Sequence, residues 1–120
     1  MQTPTDITNR ALEYVESVKA DPIVSIGGEA TFGLGKAITI RSESLHVSIP
    51  TAYTSSKMAP FLGETEHWGK ITRSNPKIGP SICIYDLDLT ITLPVRMSII
   101  SSIEAIAHSG KVIALTAGAG

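Results

Sequence analysis

The sequence predicts an α/β fold, and three observations carry that prediction. Apolar residues recur first at helical spacing and then in short β-branched runs, twice over, giving the order α-β-α-β. A strand-like run, Ile23-Val24-Ser25-Ile26, passes through Gly27-Gly28 directly into a helical stretch. Further on, Phe61–Glu66 and Lys70–Arg73 bracket His67-Trp68-Gly69 as the arms of a hairpin do. Helices alternating with strands imply right-handed crossovers and a parallel sheet.

The elements follow in order. Thr3-Pro4-Thr5-Asp6 reads as a helix start, with Thr3 as cap, Pro4 in the first turn and Asp6 near the positive helix end. Ile7, Ala11, Val15 and Val18 continue it, and Ala20-Asp21-Pro22 stops it, because the residue before proline resists the α region. Pro22–Ile26 is a short strand, and Phe32–Ile40 a helix with Leu34 and Ala37 toward the sheet. In Leu45–Pro50, Leu45, Val47 and Ile49 alternate with His46 and Ser48, the pattern of a half-buried strand. A polar loop, 51–57, leads to the hairpin. Asn75-Pro76 and Gly79-Pro80 mark a loop, Ser81–Tyr85 a strand, and Pro94 opens a helix bearing Ile99, Ile103, Ile106 and Ala107. The tail, Thr116–Gly120, carries no ordering signal. The chain is expected to open on a helix with no strand before it.

Length and charge narrow the function classes. A chain of 120 residues has room for one modest core. The formal net charge is −1 and the basic residues are scattered, so no nucleic-acid footprint is present. Cys83, the only cysteine, excludes an internal disulfide and reads as an inert thiol within a strand. The first residues lack a basic and apolar leader, and no unbroken apolar run reaches membrane-spanning length. A cytoplasmic protein without membrane association is expected.

The strand–glycine turn–helix junction is the feature with most chemistry. Such a turn aims backbone N–H groups and a helix N-terminus at a phosphate. Glu29 stands where a further glycine is expected. A unit negative charge about 4 Å from a phosphate costs roughly 4 kcal/mol at an effective dielectric near 20, or about a thousandfold in affinity; Lys36 offsets part of this. Glu104 and His108 are four residues apart and share a helix face, a plausible pair for a divalent ion but too few for a durable site. The hydroxyls of 51–56 have no partnered His or acid nearby and read as loop residues. His46 reads as structural, Trp68 as a hairpin tip, and Asp86 and Asp88 as loop or capping carboxylates.

Four blocks resemble the iron-containing alcohol dehydrogenase superfamily, and within it the maleylacetate reductase branch. Asp21–Ile38, with Gly33-Leu34 and Lys36-Ala37-Ile38, is similar to that branch's strand–GGGS–helix block. Pro50-Thr51-Ala52-Tyr53-Thr54-Ser55-Ser56-Lys57-Met58 is similar to its Pro-Thr-Thr-Tyr-Ala-Gly-Ser-Glu-Met loop. Gly63-Glu64-Thr65-Glu66 with Gly69-Lys70 resembles its hairpin, and Tyr85–Thr90, Leu93-Pro94 and Ala105-Ile106-Ala107-His108 resemble the entry to its helical domain.

The resemblance implies a partial nucleotide-binding parallel-sheet domain with a β-hairpin over residues 1–93, and the first helix of a truncated all-helical domain over 94–120. It implies NAD(P)H as cofactor and a small-molecule substrate, plausibly an unsaturated keto acid. Gly27 and Gly28 would face the pyrophosphate; Thr51, Tyr53 and Ser56 would line the phosphate and nicotinamide side; Lys70 would approach the cofactor. Glu104 falls at the family's Asp/Asn metal position and His108 at its first His, which also marks His108 as the candidate catalytic residue. Glu29 and Ala30 replace Gly and Ser, Ala52, Ser55 and Lys57 replace Thr, Gly and Glu, and Lys111 falls where Glu is usual. These departures favour a chain inactive on its own. The alternatives are a non-catalytic remnant kept beside a biosynthetic pathway, or an interaction module whose uncovered surfaces bind a protein partner or a second copy.

Overall fold

The computed structural model describes residues 3–53 and 60–118, the side chain of residue 112 apart. The element order is β1 (Thr3–Pro4), α1 (Thr5–Val18), β2 (Ile23–Gly27), α2 (Glu29–Ser42), β3 (His46–Pro50), β4 (Phe61–Glu66), β5 (Gly69–Ser74), β6 (Ile82–Cys83) and α3 (Val95–Gly118). Short 3-10 turns at Pro76–Ile78 and Leu87–Thr90 punctuate the second half. The α/β class and the parallel sheet expected from the sequence are present, but the strands form two sheets. One is parallel, in the order β2-β3-β6; the other is β1-β4-β5, with β1 parallel to β4 and β4 antiparallel to β5.

Helix α2 touches elements of both sheets and α1, which explains its buried girth. On one side Ala37 meets Leu62 and Ile78, with Ile40 packed against them. On the other lies a polar layer. His46 and Ser48 are buried and Leu45 is exposed, the reverse of an apolar-inward strand. The inversion has a packing cause. Gly35 presents no side chain where α2 crosses the sheet: a Cβ there would stand 2.6 Å from His46 Nε2. Beneath it His46 Nε2 and Ser25 Oγ share a hydrogen bond of 2.8 Å. The shared hydrogen bond lowers the cost of burying Ser25 Oγ and His46 Nε2, while His46 Nδ1 is buried without a hydrogen-bond partner among the described residues.

A charged cluster joins α2 to the hairpin. Glu64 is fully buried, with Arg41 Nη2 at 2.7 Å from one carboxylate oxygen and Arg73 Nε at 2.7 Å from the other. The hairpin has the expected arms and an exposed Trp68 at its tip.

Several expectations need correction. Thr3 is not a cap: it is buried in β1, paired with Glu64, and Pro4 holds the N-cap position without a side-chain bond. A strand therefore does precede α1. Helix α2 begins three residues earlier than Phe32, because Gly28 supplies the cap. Strand β6 is shorter than Ser81–Tyr85, although Ser81 and Ile84 N–H groups still donate to His46 and Ser48. Helix α3 runs to Gly118, through much of the tail expected to lack order. By length and composition alone α3 could cross a membrane. Glu104 and Lys111 lie within it, however, and a charge at a bilayer centre costs about 3 kcal/mol.

Candidate functional site

The glycine turn gives the site its shape. β2 ends at Gly27, whose φ of +149° suits glycine, and a Cβ there would meet Thr31 Oγ1 at 2.6 Å. Gly28 is the N-cap of α2, and its carbonyl accepts from Phe32 N–H at 3.2 Å. Thr51 N–H donates to the Gly27 carbonyl at 3.0 Å, tying the end of β3 to the turn. A cavity of about 370 Å³ opens here, with α3 as its far wall. Gly28, Glu29, Ala30, Thr31 and Ala52 line one side; Leu93, Met97, Ile100, Ser101 and Glu104 line the other.

Hydrogen bonds hold the two walls together. Tyr53 N–H donates to Ser101 Oγ at 2.7 Å. Bonds with the Thr90 and Ser98 hydroxyls hold the Tyr53 phenol below its ordinary value. Ser101 itself is buried, which makes it the anchor of α3.

The expected site residues divide into three groups. Gly27, Gly28 and Thr51 gather at the turn, Tyr53 bonds across to Ser101 of α3, and of the expected residues Gly28 and Glu104 line the cavity itself. Lys70 is exposed on β5 and His108 is exposed one turn beyond Glu104; neither lines the cavity. Ser56 lies outside the described residues, as do Thr54, Ser55 and Lys57 of the same loop. The sequence reading missed Leu93, Met97, Ile100 and Ser101. Their spacing of three and four residues with Glu104 was the available signal.

The electrostatics of the cavity are mixed. Backbone N–H groups at the start of α2 carry partial positive charge. Glu29 occupies the first helical position and lines the same cavity, so the chain supplies its own anion there. Lys36 is buried with its Nζ 3.2 Å from the Phe61 carbonyl. Burial lowers its pKa, and the charge of Glu29 partly restores it. Lys36 thus answers Glu29 from within the core.

Among the described residues no three His, Cys, Asp or Glu side chains gather to hold an ion. Of the expected pair, Glu104 lines the cavity and His108 does not. For a dinucleotide the backbone fits and the Glu29 carboxylate opposes.

No protein-family model matches the chain. Individual relatives do. It is 43% identical over 113 residues to a maleylacetate reductase from Rhizobium sp. (strain MTP-10005), covering 94% of this chain and 32% of that protein. A crystal structure of maleylacetate reductase from Agrobacterium tumefaciens superposes with a TM-score of 0.86 at 44% identity, over 90% of this chain and 31% of the other. A crystal structure of an iron-containing alcohol dehydrogenase from Corynebacterium glutamicum gives 0.85 at 37% identity, over 90% and 30%. The chain spans about a third of the length of the relatives it matches. By sequence and by fold, its homologues are the maleylacetate reductases and iron-containing alcohol dehydrogenases.

Proposed function

We propose that this chain carries the dinucleotide-facing part of a cytoplasmic NAD(P)H-dependent reductase of the maleylacetate reductase type, and that alone it is a weak binder and no catalyst. One observation supports this most: the Gly27-Gly28 turn caps α2 at the mouth of a cavity that also holds Glu29. The turn offers backbone donors to a pyrophosphate. The carboxylate competes for the same donors. In a complete enzyme of this type the cofactor would supply the hydride, and the protein would orient an unsaturated keto acid beside it. The cavity walls here supply a cradle and an apolar lining. Among the described residues they bring no group of three metal-ligating side chains to it.

Titration with NADPH and NADH, followed by backbone amide NMR, tests the reading. Millimolar-range shifts confined to Gly28, Thr31, Tyr53 and Ser101 are expected. Shifts confined to other surfaces, or none at any concentration, would remove the dinucleotide reading. Turnover of maleylacetate by the purified chain would overturn the non-catalytic half of it.

A further inference from the structure

Three consecutive residues link the glycine turn to α3. Thr51 N–H bonds to the Gly27 carbonyl at 3.0 Å, Ala52 lines the cavity, and Tyr53 N–H bonds to Ser101 Oγ at 2.7 Å. The link is covalently short: two residues of chain span at most about 7 Å from Thr51 to Tyr53. Whatever holds Tyr53 on α3 therefore fixes the distance from the turn to the far wall at this end of the cavity. All of these bonds lie within this chain.

The Tyr53 side chain repeats what its backbone does. Its phenol bonds with the hydroxyls of Thr90 and Ser98. Thr90 ends the 3-10 turn that precedes α3, and Ser98 and Ser101 stand three residues apart on α3, so they share a helix face. Tyr53 thus grips the approach to α3 once and α3 itself twice. Tyr53, Thr90 and Ser98 are not among the described residues that line the cavity, whereas Ser101 lines it with Met97, Ile100 and Glu104 of the same helix.

We propose that Tyr53 is a positioning residue, a clasp that sets α3 against the Gly27-Gly28 turn, and that it acts through Thr90, Ser98 and Ser101 and not by touching the nucleotide. The proposal rests on the reading of the cavity as a dinucleotide cradle. It replaces the nicotinamide-lining role that the family resemblance implied for this side chain. A hydrogen bond between uncharged groups shifts an equilibrium by about two- to tenfold. The two phenol bonds together should favour the clasped arrangement of α3 about tenfold over the released one.

Amide hydrogen exchange of the full chain tests the clasp without nucleotide. Tyr53→Phe keeps the ring and the backbone bond and removes both phenol bonds. Exchange over residues 98–104 should rise about tenfold, because it follows the opening equilibrium, while α1 and β2 keep the parent's rates. Thr90→Val combined with Ser98→Ala should give the same rise, and the triple variant no more than either. Unchanged exchange over 98–104 in Tyr53→Phe would overturn the proposal, and so would additive effects in the triple variant. NADPH titration in the Glu29→Ser background is the second readout. There Tyr53→Phe and the Thr90→Val, Ser98→Ala pair should weaken binding alike, by about fivefold. A loss confined to Tyr53→Phe would overturn the proposal, because it would show direct contact with the nucleotide. No binding by Glu29→Ser at any concentration, with exchange raised as expected, would remove the dinucleotide reading and leave the clasp in place.

Discussion

Ser25 Oγ and His46 Nε2 meet at 2.8 Å directly beneath Gly35, and this contact sets how closely α2 lies on the sheet. It joins β2 to β3 through their side chains and leaves no room for a methyl group above it. The glycine turn at the end of β2 takes its position from this packing. Replacing Gly35 with Ala should therefore lift α2 and cost about 1–3 kcal/mol, the range for overpacking. Chemical denaturation measures it; an unchanged midpoint would show that α2 has slack.

His46 makes stability depend on pH. Burial first, and the charge of Lys36 second, hold its imidazole below the ordinary 6.5. The folded chain then binds fewer protons at this site than the unfolded chain does. Its contribution is complete above about pH 6.5 and is lost as pH falls through that value toward the lower folded-state one. The urea midpoint should drop between pH 7.5 and pH 5.5, and His46→Gln should flatten that drop. A His46→Gln protein with the same pH slope would assign the effect to other groups.

Glu64 depends on two guanidiniums. It is fully buried, and Arg41 and Arg73 each approach to 2.7 Å. Arg41→Ala leaves a buried carboxylate with one cation, and a loss of about 3 kcal/mol is expected. Arg73→Ala should cost less, because that side chain is the more exposed of the two. The order of the two thermal shifts decides it.

Glu29 has opposite effects on fold and site. As the first residue of α2 it sits where a negative charge stabilises a helix. Glu29→Ser should lower stability by about 0.3–1 kcal/mol while freeing the helix end for a phosphate. A thermal scan without nucleotide reads the first effect. A variant more stable than the parent would contradict the placement of this carboxylate.

Much of this architecture is legible in the chain itself. The hairpin, the parallel pairing and the strand–turn–helix junction follow from local period and glycine placement. The departures have physical causes. Thr3 looks like a helix cap because capping chemistry is local, whereas its partner Glu64 is far away in sequence. The burial of His46 and Ser48 opposes their polarity, and it is permitted by a glycine on another element. Ser101 looks like an ordinary helical serine until Tyr53 N–H bonds to it across the cavity. At the site, the Gly27-Gly28 turn was readable from its motif, whereas the spacing that singled out Glu104 paired it with His108, which does not line the cavity. The opposing wall from Leu93 to Ser101 required knowing where α3 packs.

Calorimetric titration of NADPH into the parent chain and into Glu29→Ser tests the central claim most directly. The account expects millimolar or weaker binding by the parent and at least tenfold tighter binding by the variant. Micromolar binding by the parent, or equal affinities, would mean that the Glu29 carboxylate does not guard the cradle.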